Sequence, residues 1–219
     1  MENAYRLYID DTLHAITPRQ LQQAIASLPE WRREKALRFK HEQGQKECAF
    51  SYLLLCRALH ETYGIDEQPN FIIGEHGKPE LFFSDTPSGS SPQVGVGEKL
   101  HFNLSHCKAA IACVISSHEV GVDVESIGRF KDPLARHVLN DEEYNHVISS
   151  SDPQTAFTRY WTQKEAIVKL TGRGIDDDLK NLLLKYNNVS LHTEVYPQKG
   201  YVVSVAEGNL TESLSPKNL

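Results

Sequence analysis

Two short stretches of this sequence place carboxylates where they can work together. In Gly121-Val122-Asp123-Val124-Glu125 the side chains of a strand alternate between faces, so Asp123 and Glu125 share one face while Val122 and Val124 share the other. Two carboxylates about 7 Å apart along a strand repel each other and are suited to sharing a hard cation such as Mg²⁺. The plainer reading is an edge strand with one wet face. In Trp161-Thr162-Gln163-Lys164-Glu165-Ala166-Ile167-Val168-Lys169 a helix puts Trp161, Glu165 and Lys169 on one stripe. A Glu and a Lys four residues apart are also an ordinary surface ion pair. Trp161 on the same stripe argues instead for a groove, because a large aromatic ring prefers burial.

A third group, Phe102-Asn103-Leu104-Ser105-His106, ends a strand with three polar side chains. No G-x-S-x-G surrounds Ser105, so a hydrolase nucleophile is not indicated. Asn, Ser and His are, however, suitable donors to a phosphate, as is Lys78 in the glycine-bearing loop Gly74 to Pro79. That loop is not a Walker P-loop, since the spacing of Gly74, Gly77 and Lys78 differs and Pro79 stands where Ser or Thr is required. From Arg32 to Glu47 the cations Arg32, Arg33, Lys35, Arg38, Lys40 and Lys46 outnumber the anions Glu34, Glu42 and Glu47. Such a run is either a local anion site or a solvated helix face.

These residues need a scaffold. Pro18 to Tyr63 carries helical periodicity in two stretches, stopped by Gly64. Phe71 to Ile73 and Leu81 to Phe83 read as strands, Ser84 to Glu98 as a loop, and Leu100 to Leu104 with Ala109 to Ile115 as a hairpin. Val120 to Val124 reads as a strand, and helical pattern returns over Asp132 to Ser149 and Thr155 to Thr171. Leu182 to Tyr186, Val189 to Val195 and Tyr201 to Val205 predict a terminal antiparallel meander, followed by a frayed tail from Asn209. Helices followed by strands, twice over, predict an α+β fold with two similar halves, 1–115 and 116–219.

Composition narrows the function classes. The chain has 219 residues, 40% hydrophobic and 24% charged, with a formal net charge of −6, which suits a globular core and disfavours a general binder of nucleic acid or membrane surfaces. The first residues carry charge where a signal peptide needs an apolar core, so a cytoplasmic protein is expected, with Cys48, Cys56, Cys107 and Cys113 as free, buried thiols.

Taken in order, the motifs resemble the phosphopantetheinyl transferase superfamily, specifically its larger Sfp-type enzymes. The resemblance runs from the basic segment at Arg33-Glu34-Lys35 through Gly77-Lys78-Pro79 and Phe102 to His106. It continues through the paired G-[VI]-D-[VI]-E and W-x-x-K-E-x-x-x-K motifs. It implies two pseudo-symmetric α+β halves with the active site at their junction. It also implies transfer of 4′-phosphopantetheine from coenzyme A to a serine of an acyl or peptidyl carrier protein, with release of adenosine 3′,5′-bisphosphate. By the same resemblance Asp123, Glu125 and Glu165 look like ligands of Mg²⁺, for which Mn²⁺ can substitute, and Glu165, Lys169 and Asp123 like the catalytic group. Arg32, Lys35, Lys78, Pro79, Asn103, Ser105, His106, Lys164 and Lys169 look like contacts to coenzyme A. A monomer is expected. Two places depart from the family's habit. Cys107-Lys108 replaces small residues in the turn beside the phosphates, which bears on the shape of that turn, and Lys46-Glu47 stands where the family is often arginine-rich, which puts more of the nucleotide's grip on Arg32, Lys35 and Lys46. A non-catalytic coenzyme A or carrier-protein binding module is the competing view, disfavoured because it needs no trio of carboxylates. A carboxylate-pair glycosidase is disfavoured because its barrel needs ~250 residues of repeating strand and helix.

Overall fold

The computed structural model describes residues 4–74, 77–83, 99–172, 174 and 179–208. The expected loop at Ser84 to Glu98 and the tail from Asn209 lie outside the described residues. The order is β1 (Tyr5–Asp10), α1 (Pro18–Ser27), α2 (Glu30–Leu37), α3 (Glu42–Tyr63), β2 (Asn70–Ile73), β3 (Pro79–Phe82), β4 (His101–His106) and β5 (Ile111–Ser116). After these come β6 (Val120–Ser126), α4 (Asp132–Val138), α5 (Asp141–Ser149), α6 (Pro153–Thr171), α7 (Leu182–Lys185), β7 (Ser190–Tyr196) and β8 (Tyr201–Glu207). This is an α+β arrangement, as expected.

Among the described residues all strand pairs are antiparallel: one sheet runs β1-β5-β4, another β6-β8-β7, and β2 with β3 forms a separate hairpin. Every residue of β5 is buried, because it is covered twice. Ile111, Cys113 and Ile115 meet Leu54, Leu55, Ala58 and Leu59 of α3. Ala112 and Val114 face the other way, into a cluster with Val122 and Val124 of β6 and Val203 and Val205 of β8. The expected hairpin is present, since β4 and β5 pair antiparallel, and the unbroken apolar run of its second strand is the mark of a strand with no wet face. The two three-stranded sheets pack on each other, with α3 outside the first and α6 outside the second, where Ala166, Ile167 and Leu170 join Ala206 in a separate core.

Turn chemistry punctuates the helices. Thr17 and Gln20 form a capping box at α1, and Asn140 and Glu143 form one at α5. Gly64 and Gly172 end α3 and α6 in the left-handed conformation, with φ of 67° and 68°.

Several expectations need correction. The helical region at Pro18 to Tyr63 holds three helices, because Pro29 and the 38–41 connection break it. Asp132 to Ser149 is divided at Leu139-Asn140, where Asn140 caps the second helix. Leu182 to Tyr186 is the short helix α7, not a strand; a short apolar run fits either state, and the third strand of that sheet is β6, supplied from before the helices. β1 was not foreseen in the N-terminal residues. Of the four cysteines, all free, Cys48 and Cys113 are buried while Cys56 and Cys107 are only half-buried.

Candidate active site

Gly121 explains how β6 and α6 come together. A Cβ at this position would lie 2.3 Å from the Ala166 carbonyl oxygen and 2.4 Å from the Leu170 nitrogen, so the helix backbone rests directly on the strand. On that face of β6 the pleat then presents Asp123 and Glu125 to α6, whose stripe carries Trp161, Glu165 and Lys169. Trp161 donates its indole N–H to Glu125 Oε1 at 3.2 Å. Lys169 Nζ reaches Asp123 Oδ1 at 2.7 Å and Ser105 Oγ at 2.8 Å, and Ser105 Oγ donates to the same Oδ1 at 2.9 Å. The two motifs thus form one cluster at the junction of the sheets.

Its electrostatics are those of crowded carboxylates. Burial first, then the Asp123 charge, pushes the Glu125 carboxyl above its ordinary range, against the opposing Trp161 hydrogen bond and Lys169 charge. Glu165 is raised by burial and by Asp123 and Glu125, with Lys169 opposing. Asp123 is 3% exposed, and its Oδ2 is buried without a hydrogen-bond partner. Among the described residues no three His, Cys, Asp or Glu side chains stand as a ready metal cage. What does fit a hard divalent cation is the donor chemistry: carboxylate oxygens only, one of them buried and orphaned, beside two others held above their usual pKa.

Asn103 and Ser105 do more than offer donors. Asn103 Oδ1 accepts from the Val122 N–H at 3.0 Å and Ser105 Oγ from the Val124 N–H at 3.2 Å. Side chains of β4 thereby take the place of a backbone ladder to β6. Both residues are buried, at 8% and 5% exposure.

A groove of about 580 Å³ opens beside this cluster, lined by Lys169, Asn103, His106, Pro79, Lys35 and Arg32 among others. Arg32 forms part of its wall: the buried guanidinium lies within 6 Å of the rings of Trp31, Tyr52 and Phe71 and donates to the Cys48 carbonyl at 3.2 and 2.7 Å. Lys35 is exposed at the rim. Glu47 also lines the groove, 3.5 Å from His106 Nδ1. Lys46 turns to Glu42 at 2.8 Å and is absent from the lining. Lys78 sends its ammonium across to Glu119 and to two carbonyls.

Lys164 stands apart from all of these. It is 1% exposed, 2.7 Å from Glu143 of α5, and donates to the Leu179 and Lys180 carbonyls. The structure thus puts it in the core on another side of α6, away from the groove. Sequence reading missed three participants: the aromatic box around Arg32, the acidic Glu47 in the groove, and the helix contact at Gly121. Only the last had a signal, a lone glycine inside a strand.

Comparison with known proteins bears on this arrangement. Residues 119–204, which contain both carboxylate motifs, match the model of the 4′-phosphopantetheinyl transferase superfamily. Over 174 residues the chain is 27% identical to a 4′-phosphopantetheinyl transferase of Bacillus subtilis, covering 78% of this chain and 70% of that protein. It is 28% identical over 164 residues to the 4′-phosphopantetheinyl transferase gsp of Aneurinibacillus migulanus, covering 73% and 62%. It is 31% identical over 162 residues to the 4′-phosphopantetheinyl transferase HetI of a Nostoc species, covering 71% and 64%. The chain spans about two thirds of the length of these relatives. The resemblance to phosphopantetheinyl transferases, and with it the transferase class, is borne out.

Proposed function

We propose that this protein, whose likeness is to the phosphopantetheinyl transferases, moves 4′-phosphopantetheine from coenzyme A to a serine of an acyl or peptidyl carrier protein and releases adenosine 3′,5′-bisphosphate. The observation that carries the reading is the Asp123 carboxylate. One oxygen is shared by Lys169 and Ser105, the other is buried and unpartnered, and Glu125 and Glu165 stand beside it in raised-pKa environments. The groove next to it, of about 580 Å³, has the cations Arg32, Lys35 and Lys169 on its walls.

Asp123, Glu125 and Glu165 are the residues that would hold Mg²⁺ or Mn²⁺, and such an ion supplies neutralisation of negative charge on a diphosphate. The protein's own groups account for the rest. Glu165, beside Asp123 and on the same α6 stripe as Lys169, is the carboxylate proposed to take the proton of the incoming serine hydroxyl, directly or through a water. The serine oxygen bonds to the β-phosphorus as the bond to the bridging oxygen breaks, and that electron pair leaves with adenosine 3′,5′-bisphosphate. Lys169 is near enough to Asp123 to swing between that carboxylate and the departing phosphate. Arg32, Lys35, Pro79 and His106 contact coenzyme A along the groove in this reading, while Asn103 and Ser105 hold the floor beneath it. Lys164 takes no part.

A second hollow, of about 410 Å³, is lined by Glu125 together with Arg129, Lys131, Leu134, Phe157 and Trp161. Its two cations suit an acidic carrier, which a chain of net charge −6 cannot attract by bulk potential. The same reading takes the chain as a cytoplasmic monomer of two halves, 1–115 and 116–219. Among the described residues no helix is long and apolar enough to cross a membrane. The test is incubation with coenzyme A and a panel of apo-carriers, followed by mass spectrometry. A phosphopantetheine mass added to a carrier supports the reading; a panel without additions refutes it, and coenzyme A binding alone would leave the non-catalytic module.

A further inference from the structure

We infer that Lys78 is a positioning residue, a pin that fixes α6 and β6 against the β2–β3 hairpin, and not a ligand of the coenzyme A phosphates. The inference rests on the transferase reading for its kinetic consequence, though not for its structural one. Lys78 follows Gly77, which holds φ of 79° in the turn between β2 and β3. Its ammonium lies 3.1 Å from Glu119 Oε2, 3.1 Å from the Val120 carbonyl and 3.2 Å from the Leu170 carbonyl. An ammonium has three N–H donors, and here three acceptors meet them. The side chain is only 15% exposed.

The three acceptors come from the turn before β6, the first residue of β6 and the last turn of α6. Carbonyls in a helix's last turn lack intrahelical partners and favour a cation. Leu170 follows Lys169 directly, and Val120 precedes Asp123 by one pleat and a residue. A cation that joins these two carbonyls to a turn of the N-terminal part therefore sets the spacing of Lys169 and Asp123 against Ser105 of β4. For a phosphate to recruit Lys78, the ammonium would have to give up its bonds to a carboxylate and two carbonyls, which carries a cost.

The two roles predict opposite effects at Glu119, which makes the test decisive. Lys78→Met, Lys78→Arg, Glu119→Gln and the Lys78→Met/Glu119→Gln double variant are compared in the full chain. The measurements are kcat for transfer to an apo-carrier, coenzyme A Kd by calorimetry, and thermal midpoint. For a pin, Lys78→Met lowers kcat about tenfold or more while Kd moves less than about threefold. Glu119→Gln lowers kcat in the same direction, the double variant is no worse than Lys78→Met, and Lys78→Arg recovers part of the loss. For a phosphate ligand, Lys78→Met weakens coenzyme A binding about tenfold at unchanged kcat, and Glu119→Gln tightens it by freeing the ammonium; that outcome overturns the inference. Should Lys78→Met fail to fold, Glu119→Gln decides alone: a lowered kcat with Kd moved less than about threefold supports the pin, and tighter coenzyme A binding at unchanged kcat overturns it. Should the wild-type protein transfer nothing, the transferase reading fails by itself. The pin is then judged by thermal midpoints, where additive losses at Lys78 and Glu119 would refute it.

Discussion

Replacing Gly121 by alanine should damage stability and chemistry together. The added methyl would sit 2.3 Å from the Ala166 oxygen, 2.4 Å from the Leu170 nitrogen and 2.9 Å from its Cα, whereas ordinary contact begins at 3.4 Å. The obstacles are helix backbone, so no rotamer change relieves them, and α6 must retreat from β6 by about 1 Å. Ala166, Ile167 and Leu170 are almost wholly buried on that side, so the retreat also loosens their packing. Overpacking of this kind costs about 1 to 3 kcal/mol. The same shift carries Glu165 and Lys169 away from Asp123, stretching a 2.7 Å contact past the limit of a hydrogen bond. A displacement of that size in a catalytic group can lower turnover about 10²-fold. Urea unfolding and transfer kinetics on the same preparation measure both effects. Gly208→Ala is the control, because its methyl would meet only Val189 at 3.5 Å or more. If Gly121→Ala matches wild type in unfolding midpoint and in rate, the idea that backbone contact at Gly121 sets the site is wrong.

Other perturbations separate roles within the molecule. Glu165→Gln should abolish transfer while coenzyme A still binds by calorimetry; near-normal turnover would remove Glu165 from the mechanism. Treatment with EDTA should stop transfer, and added Mg²⁺ or Mn²⁺ should restore it; activity unaffected by chelation argues against the carboxylate trio as a metal site. Lys164→Met leaves the buried Glu143 carboxylate without its counter-charge, held by the Asn140 N–H, and should lower stability by about 3 to 5 kcal/mol in denaturant unfolding. The Lys164→Met/Glu143→Gln pair, which removes the charge and keeps an oxygen for the Asn140 cap, should recover much of that, and additive losses would contradict the account. Burial lowers the pKa of His101 below its ordinary value of 6.5, against the opposing Glu119 charge. The unfolded chain then binds more protons at this position, so stability should decline as pH falls from about 6.5 through the lower folded pKa. His101→Gln should flatten that slope, and an unchanged pH profile would show that another group sets it.

Much of the architecture could be read from local pattern, and the failures have a common cause. Gly64 and Gly172 mark their helix ends because a left-handed cap needs no partner elsewhere. The Asp123 and Glu165 motifs were legible because each obeys the period of its own element. Leu182 to Tyr186 was misread because three leucines in a row state burial without stating period, and Leu184 is in fact 62% exposed. Lys164 defeated sequence reading for a different reason. It lies one residue from Glu165, and only the rotation of α6 against its neighbours decides that one faces the carboxylates and the other faces Glu143. Lys78 and Arg32 likewise carry charge that the sequence shows, but their partners, Glu119 and the Cys48 carbonyl, are assigned by packing alone.

The join between β4 and β6 has a consequence for how this protein can vary. A backbone ladder is indifferent to which residues compose it, so point substitutions leave it standing. Here the seam is written in two side chains, Asn103 and Ser105, bonded to the Val122 and Val124 amides. It is therefore under direct genetic control: a single nucleotide change can cut one of its two stitches, and a one-residue insertion in β4 between Asn103 and Ser105 would turn the two stitches to opposite faces. What holds β4 to β6 along this seam is thus the identity of two side chains, on top of the apolar cluster that the two sheets share.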